Sequence, residues 1–288
     1  MTQFNENLFY TMNQFHDKRV SVSTMKFPGG EVGVNVNTGS VEPFTAQAQA
    51  VTTITLTAKI QSSDNLMEMF NATDALRRVY PFAAIDLLIP YFPYARQDRV
   101  CNAGEALSVK VMAQLINAMK YATVTVVDPH SPVLVAALDN CYVIEQKDAF
   151  KRINPDWHNW TIVAPDMGAT KKVEDFAKLV NAKDILYCNK KRNLADGKIL
   201  GMEVLNQNIL FPTSKLLVLD DICDGGRTFI EVANAIRDTG KAVQVIELAV
   251  THGIFSKGVG VLTDHFNRVY TTDTLPQQAH PQLTVYKI

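Results

Sequence analysis

Runs of apolar residues alternate with helix-like patterns along most of the chain. Short segments rich in Val, Ile, Leu and Thr, such as residues 84–89 and 123–127, predict buried strands. Between strand-like segments, apolar residues recur at helical spacing. An example is residues 66–76, before which Ser63 and Asp64 offer an N-cap. The alternation predicts β-α-β crossovers and parallel sheets.

The same rhythm occurs in both halves of the chain, which predicts two α/β lobes. Strands are predicted at residues 51–60, 84–89, 123–127, 160–164, 184–188, 216–219 and 243–249, and further helices at 108–119, 169–180 and 228–238. The polar and aromatic stretch 148–159 is the predicted boundary, so the lobes are residues 1–147 and 148–288. Ahead of the first lobe's helices, residues 20–27 and 31–37 alternate around Pro28-Gly29-Gly30, which predicts a β-hairpin.

Composition narrows the class of protein. The 288 residues are 47% hydrophobic and 20% charged, with a net charge of −1, so no basic excess favours nucleic acid or anionic membrane. The longest apolar stretch, residues 82–94, is too short to span a bilayer, and the first ten residues show no secretory signal. The four cysteines form no CxxC pair, so we expect free thiols and a cytoplasmic protein.

The strongest chemical motif follows the apolar run 216–219. It contains Asp220, Asp221, Asp224, Gly225, Gly226, Arg227 and Thr228, and a predicted helix begins there. Adjacent carboxylates at the end of a buried parallel strand suit ribose hydroxyls or a cation, and a Gly-Gly turn opening a helix suits phosphate. A plain strand–turn–helix with an acidic N-cap is the alternative, but the complete pattern favours a ribose phosphate.

This pattern resembles the phosphoribosyl-binding signature shared by type I phosphoribosyltransferases and ribose-phosphate pyrophosphokinases. Residues 91–99 favour the second family, since they resemble its ATP-contacting segment, in which Arg96 and Arg99 would pair with phosphate oxygens. Other segments that resemble this family stand in the expected order at residues 27–31, 64–68, 74–78, 128–130, 165–168, 189–192, 251–256 and 273–276. The resemblance runs from about Phe27 to the C-terminus.

The resemblance implies a fold, a reaction and an assembly. The fold would be two type I phosphoribosyltransferase-like lobes, each a mostly parallel sheet flanked by helices, plus the hairpin. The ribose 1-hydroxyl would attack the β-phosphorus of ATP, with Mg²⁺ as cofactor and AMP as leaving group. A homo-oligomer is implied, either a hexamer or a smaller assembly of dimers, with small-molecule substrates as the other partners.

The resemblance also implies residue roles. Lys190 and Arg192 would stabilise the transferred diphosphate, and His130 and Asp166 would bind the metal directly or through water. ATP would contact Phe27, Glu31, Arg96, Gln97, Asp98 and Arg99, and the acceptor would contact Asp220, Asp221, Asp224, Gly225, Gly226, Arg227 and Thr228. Alternatively, His130 is an ordinary hydrogen-bonded histidine, and Lys190 and Arg192 are ordinary surface charges.

Three departures from the family pattern bear on the substrate. Gly29 stands where the hairpin usually has Asp, and the loop 100–105 contains Glu105 where Arg is usual. The loop that usually reads Asp-Thr-Gly-Gly-Thr contains Arg227. The extra Arg suggests ADP-ribose as an alternative acceptor, because its ribose has a free 1-hydroxyl and a 5-diphosphate. A non-catalytic regulatory homologue and a phosphoribosyltransferase are the remaining alternatives, and the presence of Lys190 and Arg192 favours an enzyme.

Overall fold

Two compact units make up the chain in the computed structural model. It describes residues 3–12, 20–38, 45–150, 156–192, 199–210 and 214–288. The units are Met1–Ile144 and Glu145–Ile288, and each contains one seven-stranded sheet. Within the described ranges, no helix is long and apolar enough to cross a membrane.

The first unit is a mixed sheet with helices. Its strands are β1 (Gln3–Met12), β2 (Val20–Lys26), β3 (Val32–Val36), β4 (Thr53–Ala58), β5 (Ala84–Ile89), β6 (Thr123–Val127) and β7 (Cys141–Ile144). Its helices are α1 (Ala46–Ala50), α2 (Ser63–Val79), α3 (Ser108–Ala118) and α4 (Pro132–Ala137). The strand order is β3-β2-β1-β4-β5-β6-β7, with β4 to β7 parallel and β1 to β3 antiparallel.

The predicted hairpin is confirmed as β2 and β3. Its turn is closed by hydrogen bonds from Phe27 N to Glu31 O (2.8 Å) and from Gly30 N to Phe27 O (2.9 Å). Gly30 has a φ of +101°, which a residue with a side chain rarely adopts. The turn therefore presents Phe27 and Glu31 at the tip of the sheet's edge hairpin.

The N-cap of helix α2 is Ser62, one residue before the predicted cap at Ser63 and Asp64, and the helix begins at Ser63. Ser62 has an extended backbone, and its hydroxyl accepts a hydrogen bond from Asn65 N at 3.3 Å. Leu66, Met69 and Leu76 are buried on the face that packs in the first unit's core. The helical spacing of those apolar residues identified the element, while the cap depended on the backbone at Ser62.

The second unit is a nearly parallel sheet. Its strands are β8 (Thr161–Ala164), β9 (Asp184–Arg192), β10 (Ile199–Val204), β11 (Lys215–Cys223), β12 (Val245–Gly253), β13 (Val269–Thr272) and β14 (Leu283–Tyr286). Its helices are α5 (Gln146–Phe150), α6 (Thr170–Val180), α7 (Arg227–Asp238) and α8 (Gly260–Thr263). In the order β10-β9-β8-β11-β12-β13-β14, only β10 is antiparallel to its neighbour.

The direction of winding reverses between β8 and β11. The chain passes from β8 to β9 on one side and then returns to place β11 on the other side of β8. The carboxyl ends of strands flanking such a reversal form a crevice in which open α/β sheets bind ligands. The motif of the second half therefore lies at the edge of the sheet where a ligand is expected.

Strand β11 is buried on both faces, which explains its continuous apolar run. Leu216 and Val218 pack in one hydrophobic cluster and Leu217 and Leu219 in the other. The second cluster contains the edge-on ring pair of Trp157 and its neighbour Trp160, with centroids 5.1 Å apart. A strand covered by helices on both sides loses the apolar–polar alternation of a half-exposed strand.

Several predicted strand ends were too early. Strand β9 continues to Arg192, β11 to Cys223 and β12 to Gly253, beyond the predicted ends at 188, 219 and 249. Backbone pairing persists where the apolar pattern stops, as in Asp220 opposite Val250 and Lys190 opposite Met202. Strands β1, β7, β10, β13 and β14 were not predicted, and nor were helices α1, α4, α5 and α8.

Candidate active site

Two adjacent carboxylates, Asp220 and Asp221, lie near the carboxyl end of strand β11. Asp221 is buried and Asp220 is largely so, and the Oδ1 atom of Asp220 accepts a hydrogen bond from Asp221 N at 2.8 Å. Burial, followed by the charge of Asp221 and then that of Asp166, raises the pKa of Asp220 well above the usual carboxyl value. The raised pKa reflects the crowding of buried carboxyl groups at this site, which cations or hydroxyl donors would relieve.

Two lysines from neighbouring elements face this acidic edge. Lys172 on α6 places its Nζ 2.8 Å from Asp221 Oδ2, and Lys190 on β9 places its Nζ 3.0 Å from Asp166 Oδ2. Asp166 follows β8, so the three carboxylates come from the two strands that flank the reversal. The carboxyl edge of this sheet thus holds a paired cluster of three acids and two bases.

Asp166 is held firmly from its other side. Its Oδ1 accepts hydrogen bonds from the backbone nitrogens of Gly168 (3.0 Å) and Ala169 (3.3 Å). One carboxylate oxygen is therefore fixed, and the other faces the ammonium of Lys190. A monodentate carboxylate with a displaceable cation suits Mg²⁺, which uses one or two protein carboxylates and retains waters.

The glycine turn that follows β11 requires glycine at one position. Gly226 precedes α7 with a φ of +79°, and a Cβ there would lie 2.9 Å from Leu262 Cδ2. Gly225 has ordinary space, since a Cβ would meet its nearest neighbour, Lys257, at 3.6 Å. The turn delivers the first backbone N–H groups of α7, which have no partners within the helix, to the same edge of the sheet.

Arg227 is the first residue of α7, and its side chain extends along the helix towards Glu231. Its Nε lies 2.7 Å from Glu231 Oε1, and 86% of its side chain is exposed. Thr228 is half-buried in the same first helical turn, and Asp224 is half-buried before the glycines. In the structure, the additional cation of this loop is therefore directed to the surface, with a neighbouring carboxylate as partner.

A second loop forms one wall of the glycine turn. The backbone nitrogens of Ile254 (2.8 Å) and Phe255 (3.1 Å) donate to Cys223 O, and Ser256 N donates to Asp224 O at 3.2 Å. These bonds place Lys257 beside Gly225. Sequence reasoning missed Lys172 and Lys257 because each is one of many lysines, and only the crossovers bring them to this edge.

A buried glutamine ties the ends of β11 and β12 together. Gln146 Nε2 donates to Asp220 O (2.7 Å) and to Thr251 Oγ1 (3.3 Å). Next to Thr251, the buried His252 has its Nδ1 3.0 Å from Thr274 Oγ1. A polar network thus holds the backbone of the acidic pair in place. Gln146 begins the short helix α5, and no pattern in the sequence indicated this role.

The first unit presents the predicted adenine-side residues on its hairpin. Phe27 is 49% exposed, and its ring lies over Gly33, where a Cβ would come within 2.8 Å of it. The Glu31 side chain folds over Gly29, with Oε2 2.5 Å from the position of a Cβ there. The carboxylate of Glu31 therefore fills the space beside Gly29, at which the family usually has Asp.

The predicted ATP segment follows β5. Tyr94 adopts a left-handed backbone (φ 62°) and its carbonyl accepts from Gln97 N at 2.9 Å. Arg96, Gln97 and Arg99 are exposed, and Asp98 is half-buried. These side chains form an open, basic surface at the carboxyl end of a central strand.

The loop after Arg99 is closed by its own carboxylate. Glu105 accepts from the backbone nitrogens of Cys101 (2.8 Å) and Asn102 (3.0 Å) and from Asn102 Nδ2 (2.6 Å). The Asn102 side chain, and then the two backbone donors, lower the pKa of Glu105. Glu105, which departs from the family pattern, thus stabilises its own loop through hydrogen bonds.

The predicted metal residues belong to different units. His130 is exposed and follows β6 after Asp128, which is buried with a φ of 41°. Among the described residues, no group of three His, Cys, Asp or Glu side chains is close enough to hold a metal. Arg192 lies on β9, and its side chain is outside the described part of the structure.

The comparisons with known proteins agree with this architecture. A family profile for the N-terminal domain of ribose phosphate pyrophosphokinase matches residues 10–119. Ribose-phosphate pyrophosphokinase of Pasteurella multocida (strain Pm70) is 30% identical over 265 residues, covering 87% of this chain and 78% of the relative. That of Marinomonas sp. (strain MWYL1) is 30% identical over 274 residues, covering 92% and 78%.

A solved structure shows the same fold over both units. The crystal structure of phosphoribosylpyrophosphate synthetase from Mycobacterium smegmatis matches with a TM-score of 0.75 at 22% identity, covering 95% of this chain and 88% of that one. The fold is thus the two-unit α/β fold of phosphoribosylpyrophosphate synthetase. The chain belongs to the ribose-phosphate pyrophosphokinase family and is an enzyme of the transferase class.

Proposed function

We propose that the protein transfers the β,γ-diphosphate of ATP to the 1-hydroxyl of ribose 5-phosphate, giving phosphoribosyl pyrophosphate and AMP. One observation carries the proposal: the cluster of Asp166, Asp220 and Asp221 with Lys172 and Lys190 at the winding reversal of the second sheet. The cluster supplies both hydroxyl acceptors and cations at the edge where ligands bind.

The acceptor would be held by the acidic pair and the glycine turn. Asp220 and Asp221 would accept hydrogen bonds from the ribose 2- and 3-hydroxyls, which would relieve their mutual repulsion. The 5-phosphate would lie against the backbone N–H groups of residues 224–228, where the dipole of α7 favours an anion. Because Gly225 has no side chain, the phosphate would approach the backbone closely.

Transfer requires positioning and charge neutralisation more than covalent help. The acceptor oxygen would form a bond to the β-phosphorus while the bond from that phosphorus to the α,β-bridging oxygen breaks and AMP departs with that oxygen. The hydroxyl proton is released to solvent. Lys190, freed from Asp166, and Arg192 would stabilise charge on the transferred diphosphate, and the exposed Arg96 and Arg99 would bind ATP phosphates.

Mg²⁺ is the cofactor we propose. Bound Mg²⁺ would neutralise the phosphate charges of ATP. Asp166, with one oxygen fixed by two backbone donors, is the better candidate ligand, and His130 is the second. Phe27 would stack on adenine, and Glu31 would accept a hydrogen bond from the adenine amino group. We propose that the protein is a dimer-based homo-oligomer in the cytoplasm, and that the hairpin of one subunit contacts the ATP bound to its neighbour.

A second candidate is the same transfer to ADP-ribose. The observation that favours it is the exposed Arg227 at the start of α7, whose surface pair with Glu231 is weak and exchangeable. A ligand with a second phosphate beyond the 5-position would offer that cation a stronger partner.

The proposal is tested by measuring AMP release from ATP and Mg²⁺ with each acceptor and identifying the products by mass. AMP with ribose 5-phosphate supports the first candidate, and AMP with ADP-ribose alone supports the second. Nucleotide formation from an activated sugar without ATP would indicate a phosphoribosyltransferase, and turnover of neither acceptor would indicate a regulatory homologue. Light scattering would measure the oligomer.

A further inference from the structure

The position of Lys257 is set by a tight and costly loop. Gly253 lies under the ring of Phe255, where no Cβ would fit, and Phe255 itself has a left-handed φ of 46°. Gly258 closes the turn with a bond from its N to Phe255 O at 2.7 Å and a φ of +75°. A bulky residue with positive φ is unfavourable and persists only where the surrounding structure holds it.

The loop brings the stem of Lys257 over the glycine turn. The Cε and Cδ atoms of Lys257 lie 3.6 and 3.7 Å from the position that a Cβ of Gly225 would occupy. The contact is with the first glycine of the turn, whereas Leu262 packs at the second, Gly226. The exposed side chain of Lys257 therefore passes beside the glycine turn.

The local charges give Lys257 no role inside the protein. The ion pairs described at this edge are Lys172 with Asp221, Lys190 with Asp166, and Arg227 with Glu231, and Lys257 takes part in none of them. Asp221 and Asp166 already have lysine partners, and no described ion pair joins Lys257 to either of them. An exposed lysine in a constrained loop beside a phosphate-binding turn is suited to a ligand anion.

We infer that Lys257 binds a second phosphoryl group of the acceptor, which favours the second candidate of the proposed function, a ribose whose 5-position carries a diphosphate ester. The inference rests on the proposed function and names the acceptor for the same site. The backbone N–H groups of the turn suffice for one phosphate. Lys257, with the exchangeable Arg227 nearby in sequence, supplies the additional positive charge that a diphosphate requires.

The test compares Lys257→Gln with Lys241→Gln, which makes the same charge change beyond the far end of α7. ADP-ribose serves as the diphosphate probe and ribose 5-phosphate as the monophosphate probe. For Lys257→Gln we expect KM and the calorimetric Kd for ADP-ribose to rise about tenfold, the size of one charge-assisted contact. The values for ribose 5-phosphate should rise about twofold, since its single phosphate is held by the backbone N–H groups and loses only the solvent-screened attraction of a nearby charge. Lys257→Arg should restore ADP-ribose binding.

Two results would overturn the inference. Equal losses for both acceptors would assign Lys257 to the 5-phosphate itself, and no loss for either would remove it from the site. Binding is measured without ATP, so it remains informative if wild-type protein releases no AMP. Absent turnover with a selective loss of ADP-ribose binding would reject the proposed function and retain the diphosphate subsite.

Discussion

The two units share a seven-stranded sheet but use it differently. In the first, the parallel strands β4, β5, β6 and β7 follow one another across the sheet without reversal. Its candidate ligand residues are exposed, on the hairpin and after β5. In the second, winding reverses between β8 and β11, and the candidate residues there are partly buried and paired.

This difference predicts which substitutions should affect the stability of the fold as well as activity. A buried charge that loses its partner destabilises the folded protein, whereas an exposed side chain that awaits a ligand contributes little to it. Substitutions that leave a buried charge of the second unit's cluster without its partner should therefore change both stability and activity. Those on the first unit's hairpin should change activity alone.

The largest effect is expected for Lys190→Met. AMP release should fall about 10³-fold, because a cation that stabilises the transferred charge is lost. Stability should change little, since two backbone donors still hold Asp166. Lys171→Met, on the exposed face of α6, is the control and should retain activity. Turnover of Lys190→Met within threefold of wild type would exclude Lys190 from catalysis.

Lys172→Met should have the largest effect on stability. It leaves the buried Asp221 without its 2.8 Å partner, which should lower the free energy of unfolding by about 2–3 kcal/mol. The neighbouring Lys171 pairs with Asp175 on the surface, so Lys171→Met should leave the urea midpoint unchanged. If the two variants unfold alike, the contrast between buried and exposed pairs is wrong.

Phe27→Ala tests the first unit. Because half of the ring is exposed, we expect a near-normal melting temperature but a rise of about tenfold in the KM for ATP, as one stacking contact disappears. Phe82→Ala removes a ring that is 67% exposed in the turn before β5 and should not alter the KM. An unchanged KM in Phe27→Ala would remove the hairpin from the nucleotide site.

The smallest effect is expected for Asp220→Asn in ligand-free protein. Burial and the charge of Asp221 raise the pKa of Asp220, so the folded state retains a proton that the unfolded chain has lost. Wild-type stability should therefore fall as pH rises from the usual carboxyl range towards the raised pKa.

Asparagine does not titrate and keeps an acceptor for Asp221 N. The stability of Asp220→Asn relative to wild type should increase as pH rises across that window, and the difference should vanish below about pH 4. At pH 7 the melting temperature should rise by about 2–4 °C for each kcal/mol of relieved repulsion. Calorimetry across pH would measure it, and a constant difference between the two proteins would contradict the assignment to this carboxyl group.

Apolar periodicity was enough for the central elements. Strands β5 and β6 have the predicted bounds, and α3 ends one residue before its predicted end, because long apolar patterns reflect burial directly. The ends of β9 and β11 were wrong, since polar residues there still pair through their backbones. Edge strands such as β10 and β14 lacked the signal because their burial depends on distant neighbours.

The sequence alone determined the family, the two α/β lobes and the candidate motifs, because these depend on residue types at short spacings. Only the tertiary structure decided which charges meet. Lys172 reaches Asp221 across 49 positions, and Gln146 reaches Asp220 across 74. Such partners are chosen by crossovers between strands, and one lysine in the sequence is indistinguishable from the next.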